Sequence, residues 1–176
     1  MTPKTQLIEM LKVSNQRVID WFTAITSEAF FIGSEGEWSA SQNVDHLIKA
    51  QKPVAQALKL PKFTLRAMFG RPHRASITYQ ELCKAYRDEI ANGAQASGRY
   101  LPNQENPHSG TERKKRELLD QFSKASTELV SVVEKWNEDE LDQYLLPHPI
   151  LGKLTVREIL YFTIYHNLRH ASQEGD

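Results

Sequence analysis

The strongest constraint on this chain lies near its end, where His166 and His170 stand four residues apart in Tyr-His-Asn-Leu-Arg-His-Ala-Ser-Gln. On an α-helix, residues at that spacing sit one turn above each other on one face, close enough for two imidazoles to meet one metal ion. The helix carries its own start signals. Thr155 with Glu158 reads as a capping box and Leu154 against Ile159 as a hydrophobic staple, so the sequence predicts a helix starting at Thr155. Val156, Ile159, Thr163, His166 and His170 then follow at steps of three and four, the stripe that turns inward in a bundle. A single inward histidine is more often a core residue hydrogen-bonded to a neighbour. Two at this spacing shift the balance, because inward imidazole nitrogens need partners and one cation satisfies both. With six histidines in the chain, the spacing alone is still a weak motif.

A chain of 176 residues is long enough for one core and short for two, so residues 1–176 are expected to form a single domain. Lys plus Arg and Asp plus Glu both number 22, so no overall field draws the chain to nucleic acid or to an anionic membrane. The first residues lack an apolar leader segment, and no run approaches the ~18 apolar residues of a membrane span. A cytoplasmic location without membrane or nucleic-acid partners is the expectation. Cys83 is the one cysteine; it has no partner for an internal disulfide and reads as a small core residue.

In chain order, residues 5–28 read as a first helix, with Leu7, Leu11, Val18, Phe22 and Ile25 on one stripe and neither Gly nor Pro inside. Phe30 to Trp38, with Gly33 and Gly36, reads as a loop. Ser39 and Gln42 form a second capping box and open a helix to about Leu60, interrupted by Pro53 and carrying His46. On that helix Leu47, Ala50, Val54 and Ala57 form one stripe, with His46 at its edge and Val44 and Ile48 on the other side. Lys59 to Arg74 holds five basic residues and no acid, a solvated surface more often than a rim for an anionic group. His73 lies in it without a metal role. Thr78 with Glu81, and Ile77 against Leu82, predict a short helix ending before Gly93. Residues 94–110 are irregular, and so long a connection over 60–110 implies that the next helix returns by a crossover. That helix, Thr111 to Trp136, shows the cleanest periodicity: Leu118, Phe122, Ala125, Leu129, Val132 and Trp136. Its Arg-Lys-Lys-Arg run at 113–116 is flanked by Glu112 and Glu117 and reads as a solvated first turn. Asn137 to Lys153 reads as a linker, in which His148 lies between two prolines without ligand geometry.

Trp-Ser-x-x-Gln-x-x-x-His-Leu at 38–47, His-Pro-x-x-Gly-x-Leu-Thr at 148–155 and His-Asn-Leu-Arg-His at 166–170 together resemble the DinB-like superfamily. The resemblance covers residues 5–173. It implies an all-α four-helix bundle with a long crossover between helices 2 and 3, and a divalent metal held by His46, His166 and His170. Gln173 also resembles a glutamine that follows the second histidine of the pair. Some relatives are thiol-dependent S-transferases, including bacillithiol transferases and a mycothiol-dependent maleylpyruvate isomerase, and relatives often pair as homodimers. The segment 60–110 departs from the compact members.

Three neutral imidazoles leave the ion its full charge and an open position, as in catalytic rather than closed structural sites. With a low-molecular-weight thiol cosubstrate the expected activity is a transferase acting on a small electrophilic molecule, and with water a hydrolase. Zinc, nickel, iron and manganese all suit imidazole. Gln42, one turn before His46, either orients a ligand or serves only its capping box, while Tyr165 and Asp45 point away. Two other readings stand beside the enzyme: a non-enzymatic metal-binding bundle with a structural or protein-interaction role, and, ranked last, nucleic-acid binding through residues 59–74.

Overall fold

A computed structural model describes residues 1–104 and 111–172. Its frame is four long helices: α1 (Lys4–Thr23), α3 (Ala40–Leu58), α6 (Glu112–Glu134) and α7 (Val156–His170). Helix α3 packs against α6 and α7, and α1 packs against the same two, so α1 and α3 occupy one diagonal of the bundle. Helices α3 and α6 are neighbours in space although the whole stretch from Lys59 to Thr111 separates them in sequence, which is the expected crossover. Among the described residues, no helix is long and apolar enough to cross a membrane.

The first helix is shorter than its hydrophobic stripe suggested. It ends at Thr23, and Thr26 caps a separate one-turn helix, α2 (Ser27–Phe30), by accepting from the Ala29 N–H. Lys115, buried on α6, donates to the Thr23 and Ile25 carbonyls at this break. Part of the basic run at 113–116 thus caps a helix end, where a cation suits the macrodipole, while Arg113 pairs with Glu117 at 2.6 Å. Phe30 and Phe31, placed in a loop by the sequence reading, are buried against the core with ring centroids 5.1 Å apart.

Helix α3 starts on the Ser39–Gln42 capping box and continues through Pro53. Its buried stripe is Val44, Leu47, Ile48, Gln51, Ala55 and Leu58. Ala50, Val54 and Ala57, expected at the centre of the buried face, are only partly buried. The helix is covered on two sides: one meets α6, and the other, with Ala50 and Val54, lines a cavity.

The basic segment contains a helix that the sequence reading missed, α4 (Lys62–Phe69). Leu65 anchors it, fully buried, while the Arg66 guanidinium lies 4.8 Å from the Tyr144 ring centre and the Lys62 amine 4.5 Å from that of Trp136. Lys59 pairs with Glu128, Lys62 with Glu140 and Arg74 with Glu158, so among the described residues three of the five basic side chains have acidic partners. Helix α5 (Tyr79–Ala91) begins on the expected Thr78–Glu81 box, ends before Gly93 at φ 91°, and packs on α7. Cys83 on α5 is buried, as expected.

The linker at 137–153 is more ordered than composition suggested. It holds a 3-10 turn (Asp139–Asp142) and an antiparallel hairpin, β1 (Leu145–His148) with β2 (Gly152–Thr155). Two strands of four residues, one with a proline, are too short to show an alternating pattern. The turn is closed by the His148 side chain, whose Nδ1 accepts from the Ile150 and Leu151 N–H groups at 3.2 and 3.0 Å. Strand β2 runs directly into α7, because Thr155 is both its last residue and the N-cap of the helix.

Helix α7 is the most enclosed element. Its expected stripe faces inward, but Leu160, Tyr161, Ile164 and Asn167 on other faces are buried too. Arg157 near its start is 1% exposed and donates to both Asp142 carboxylate oxygens at 2.8 Å, to Glu138 at 2.7 Å and to the Thr2 carbonyl at 2.6 Å. The C-terminal half of α7 carries the histidines.

Candidate metal centre

Three imidazoles meet between α3 and α7. The His46 Nε2 lies 3.0 Å from the His166 Nε2, which in turn lies 3.2 Å from the His170 Nε2. The candidate ligand atoms all fall within 4.8 Å of one another. Four-coordinate zinc with bonds of about 2.0–2.1 Å sets its ligand nitrogens roughly 3.3 Å apart, close to the two separations that His166 makes with His46 and His170.

The outer nitrogens decide which atoms carry protons. The His46 Nδ1–H donates to the Tyr100 carbonyl at 2.7 Å, since a carbonyl only accepts. Asn43 donates its amide N–H groups to the Trp38 and Ser39 carbonyls at 3.2 and 2.9 Å, which turns its oxygen toward the His170 Nδ1–H at 2.6 Å. Both rings, when neutral, therefore present bare lone pairs at Nε2. His166 has one Nε2 facing two such acceptors and can donate to one at most. Extra protons are disfavoured: burial pushes His166 well below the ordinary histidine range and His170 down to about 3, and it lowers His46 despite the Tyr100 carbonyl and Asp45. Buried lone pairs that converge without enough donors are the arrangement a cation answers.

Aromatic rings fix the imidazole planes. Trp38 lies 4.8 Å from His46 and stacks on His170 at 6.4 Å, and Phe162 stacks on His166 at 4.8 Å. Two spaces adjoin the cluster. A small chamber between α3, α5, α7 and the hairpin turn touches His46 and His166. A wider, open cleft touches His46 and His170 beside Trp38, Asn43, Glu37 and Arg169.

The fold thus brings together His46, His166 and His170, from two helices far apart in sequence. Gln42 accepts from the Ser39 N–H at 2.9 Å and serves the capping box. Asp45 is held by Lys49 and by the Asn103 N–H, and Tyr165 lies against Tyr86. His73 sits in a separate groove with Arg71 and Arg74, and Gln173 lies outside the described residues. The sequence reading missed Asn43, Tyr100, Trp38 and Phe162. Phe162 was legible as the residue one turn before His166. Tyr100 was not, because it reaches His46 from a 3-10 turn (Gly98–Tyr100) in the crossover.

A bundle of four long helices with a three-histidine cluster between two of them defines a helical protein with a candidate site for a metal ion. The sequence matches the profile of the DinB superfamily over residues 10–173, and the chain belongs to that superfamily. No curated protein and no solved structure matches it.

Proposed function

We propose that this protein is a metal-dependent enzyme in which His46, His166 and His170 hold a divalent cation, and that it acts on a small electrophilic molecule as a thiol-dependent S-transferase or as a hydrolase. The observation that carries this reading is the convergence of three Nε2 atoms, with too few protons to satisfy one another, beside two cavities. When bound there, zinc, nickel, iron or manganese would supply Lewis acidity that lowers the pKa of a thiol or a water. The chain's own groups do the rest. Tyr100 and Asn43 hold the imidazoles in the tautomer that presents lone pairs inward. The ligand set carries no negative charge, so the cation's field is not offset. Trp38 and Phe162 shield the cluster on two sides.

The test is elemental analysis of protein purified without a metal-affinity tag, beside His46→Ala, His166→Ala and His170→Ala. About one equivalent of metal in the parent and a loss in each variant is expected. Substoichiometric metal that the substitutions leave unchanged would end the reading. Assays of the loaded protein with thiol and electrophile pairs, and with esters and amides, then separate transferase from hydrolase. A non-enzymatic role is favoured by one observation: a cation at this cluster would tie α3 to α7 through His46 and His166, both buried, and the half-buried His170. That alternative expects a large metal-dependent rise in Tm with no turnover in either assay.

A further inference from the structure

The chamber beside His46 and His166 narrows the substrate. Its walls are Ala50 and Val54 from α3, Tyr86 from α5, and Ile159 and Phe162 from α7, and the hairpin residues Pro147 to Ile150 close one end. No Asp, Glu, Lys or Arg is among the described residues that line it. Its volume is ≈ 70 Å³. An apolar cavity of about 150 Å³ holds benzene, so a group of about three carbons is the fitting size. The chamber's polar lining includes Thr163, whose hydroxyl donates to the Ile159 carbonyl at 2.9 Å, and the His148 ring. The His148 Nδ1 accepts two backbone N–H groups, which leaves the ring proton on Nε2 as the remaining donor. Burial pushes His148 down to about 4, so the ring is uncharged near neutrality. The second cleft shares His46, Tyr86 and Ala96 with the chamber and is wider, open and partly charged, with Glu37 and Arg169 on its lining. Two reactants of different polarity can therefore reach the histidine cluster through two adjoining spaces, one by His46 and His166 and the other by His46 and His170.

Resting on the function proposed above, we propose that the chamber seats the electrophilic reactant: an uncharged molecule with a short alkyl portion and one acceptor oxygen facing His148, while the thiol or water enters by the open cleft. A ligand with an anionic end on that side would have to leave a buried charge without a partner.

The test uses straight-chain aliphatic hydroxamates, from acetohydroxamate to hexanohydroxamate, titrated calorimetrically into the zinc-loaded protein. Affinity should rise about fourfold per added methylene over the first two or three and then level off. The succinyl hydroxamate, with a terminal carboxylate, should bind no tighter than acetohydroxamate. Ala50→Leu, and independently Val54→Phe, should abolish the dependence on chain length while zinc content stays at the parental value. Acetohydroxamate binding with no effect of chain length, or an effect that both filled variants retain, would overturn the chamber as the substrate seat and leave the metal centre standing. Absence of zinc, or hydroxamate binding that does not need it, would overturn the metal reading and this inference with it.

Discussion

At the scale of single residues, the site depends on groups that hold imidazoles rather than on the imidazoles alone. Asn43 is the clearest case, because its amide is oriented by two carbonyls and its oxygen then fixes the His170 ring. Asn43→Leu should keep the three candidate ligands yet weaken zinc binding about 10- to 100-fold, the usual cost of losing such a partner, as read by competition with a chromogenic chelator. A parental affinity would show that His170 needs no partner. His148 supplies a pH signature. Its folded-state pKa is depressed to about 4 by burial, against about 6.5 in an unfolded chain. Above about pH 6.5 both states are neutral and the full stability is present; as the pH falls toward 4 only the unfolded chain gains the proton, and up to about 3 kcal/mol is lost. Urea unfolding of metal-free protein should show this loss, and His148→Asn, whose oxygen can still accept from the hairpin turn, should lose less over the same window. His148 is also among the groups that lower His166, so the comparison reads residue 148 together with that coupling.

At the scale of elements, the start of α7 matters as much as its histidine-bearing end. Arg157 joins α7 to the 3-10 turn at Asp139–Asp142 and to the N-terminal residue Thr2. Burial opposes the ionised Asp142, but the hydrogen bonds and charge of Arg157 outweigh it and hold this carboxyl below its ordinary range. Arg157→Met keeps most of the volume and removes the charge-assisted bonds, so it should cost about 3 kcal/mol of stability, measured by denaturant unfolding. An unchanged midpoint would show that the network is neutral. Capping boxes made element starts the most legible features in the sequence: Ser39, Thr78 and Thr155 all cap where their side chains suggested. The hairpin and α4 were not legible. The hairpin gains its order from a histidine that closes its turn through residues two and three positions on, an uncommon turn device, and α4 from the burial of Leu65 and from cation contacts with Trp136 and Tyr144, which are distant in sequence.

At the scale of the whole molecule, the four long helices are pinned to one another by buried polar side chains. Asn167, fully buried beside His166, donates to Ser14 at 3.1 Å and to Asn15 at 2.8 Å on α1, and accepts from Gln51 of α3 at 3.0 Å. Gln51 in turn accepts from Ser126 of α6 at 3.1 Å. Apolar packing tolerates small rotations of a helix, whereas this chain of hydrogen bonds is satisfied in one register, the register in which His46 meets His166. Asn167→Leu should therefore lower stability by about 2 kcal/mol through the partners it orphans, and should also weaken zinc affinity although it removes no ligand. Equal zinc affinity in parent and variant would separate the network from the metal site.

By itself the sequence determined the helical class, three helix starts, the crossover and the pairing of His166 with His170. These rest on interactions within a few residues, where hydrogen-bond partners and side-chain faces follow from spacing along one helix. That His46 joins that pair was implied by the family resemblance alone; only the tertiary structure decided that Asn43 and Tyr100 set the tautomers of two rings, and that Ala50 and Val54 on the second side of α3 border a chamber. Those outcomes depend on how α3 and α7 are rotated against each other. That rotation is fixed by buried contacts between residues more than a hundred positions apart, for which a single sequence carries no local signal.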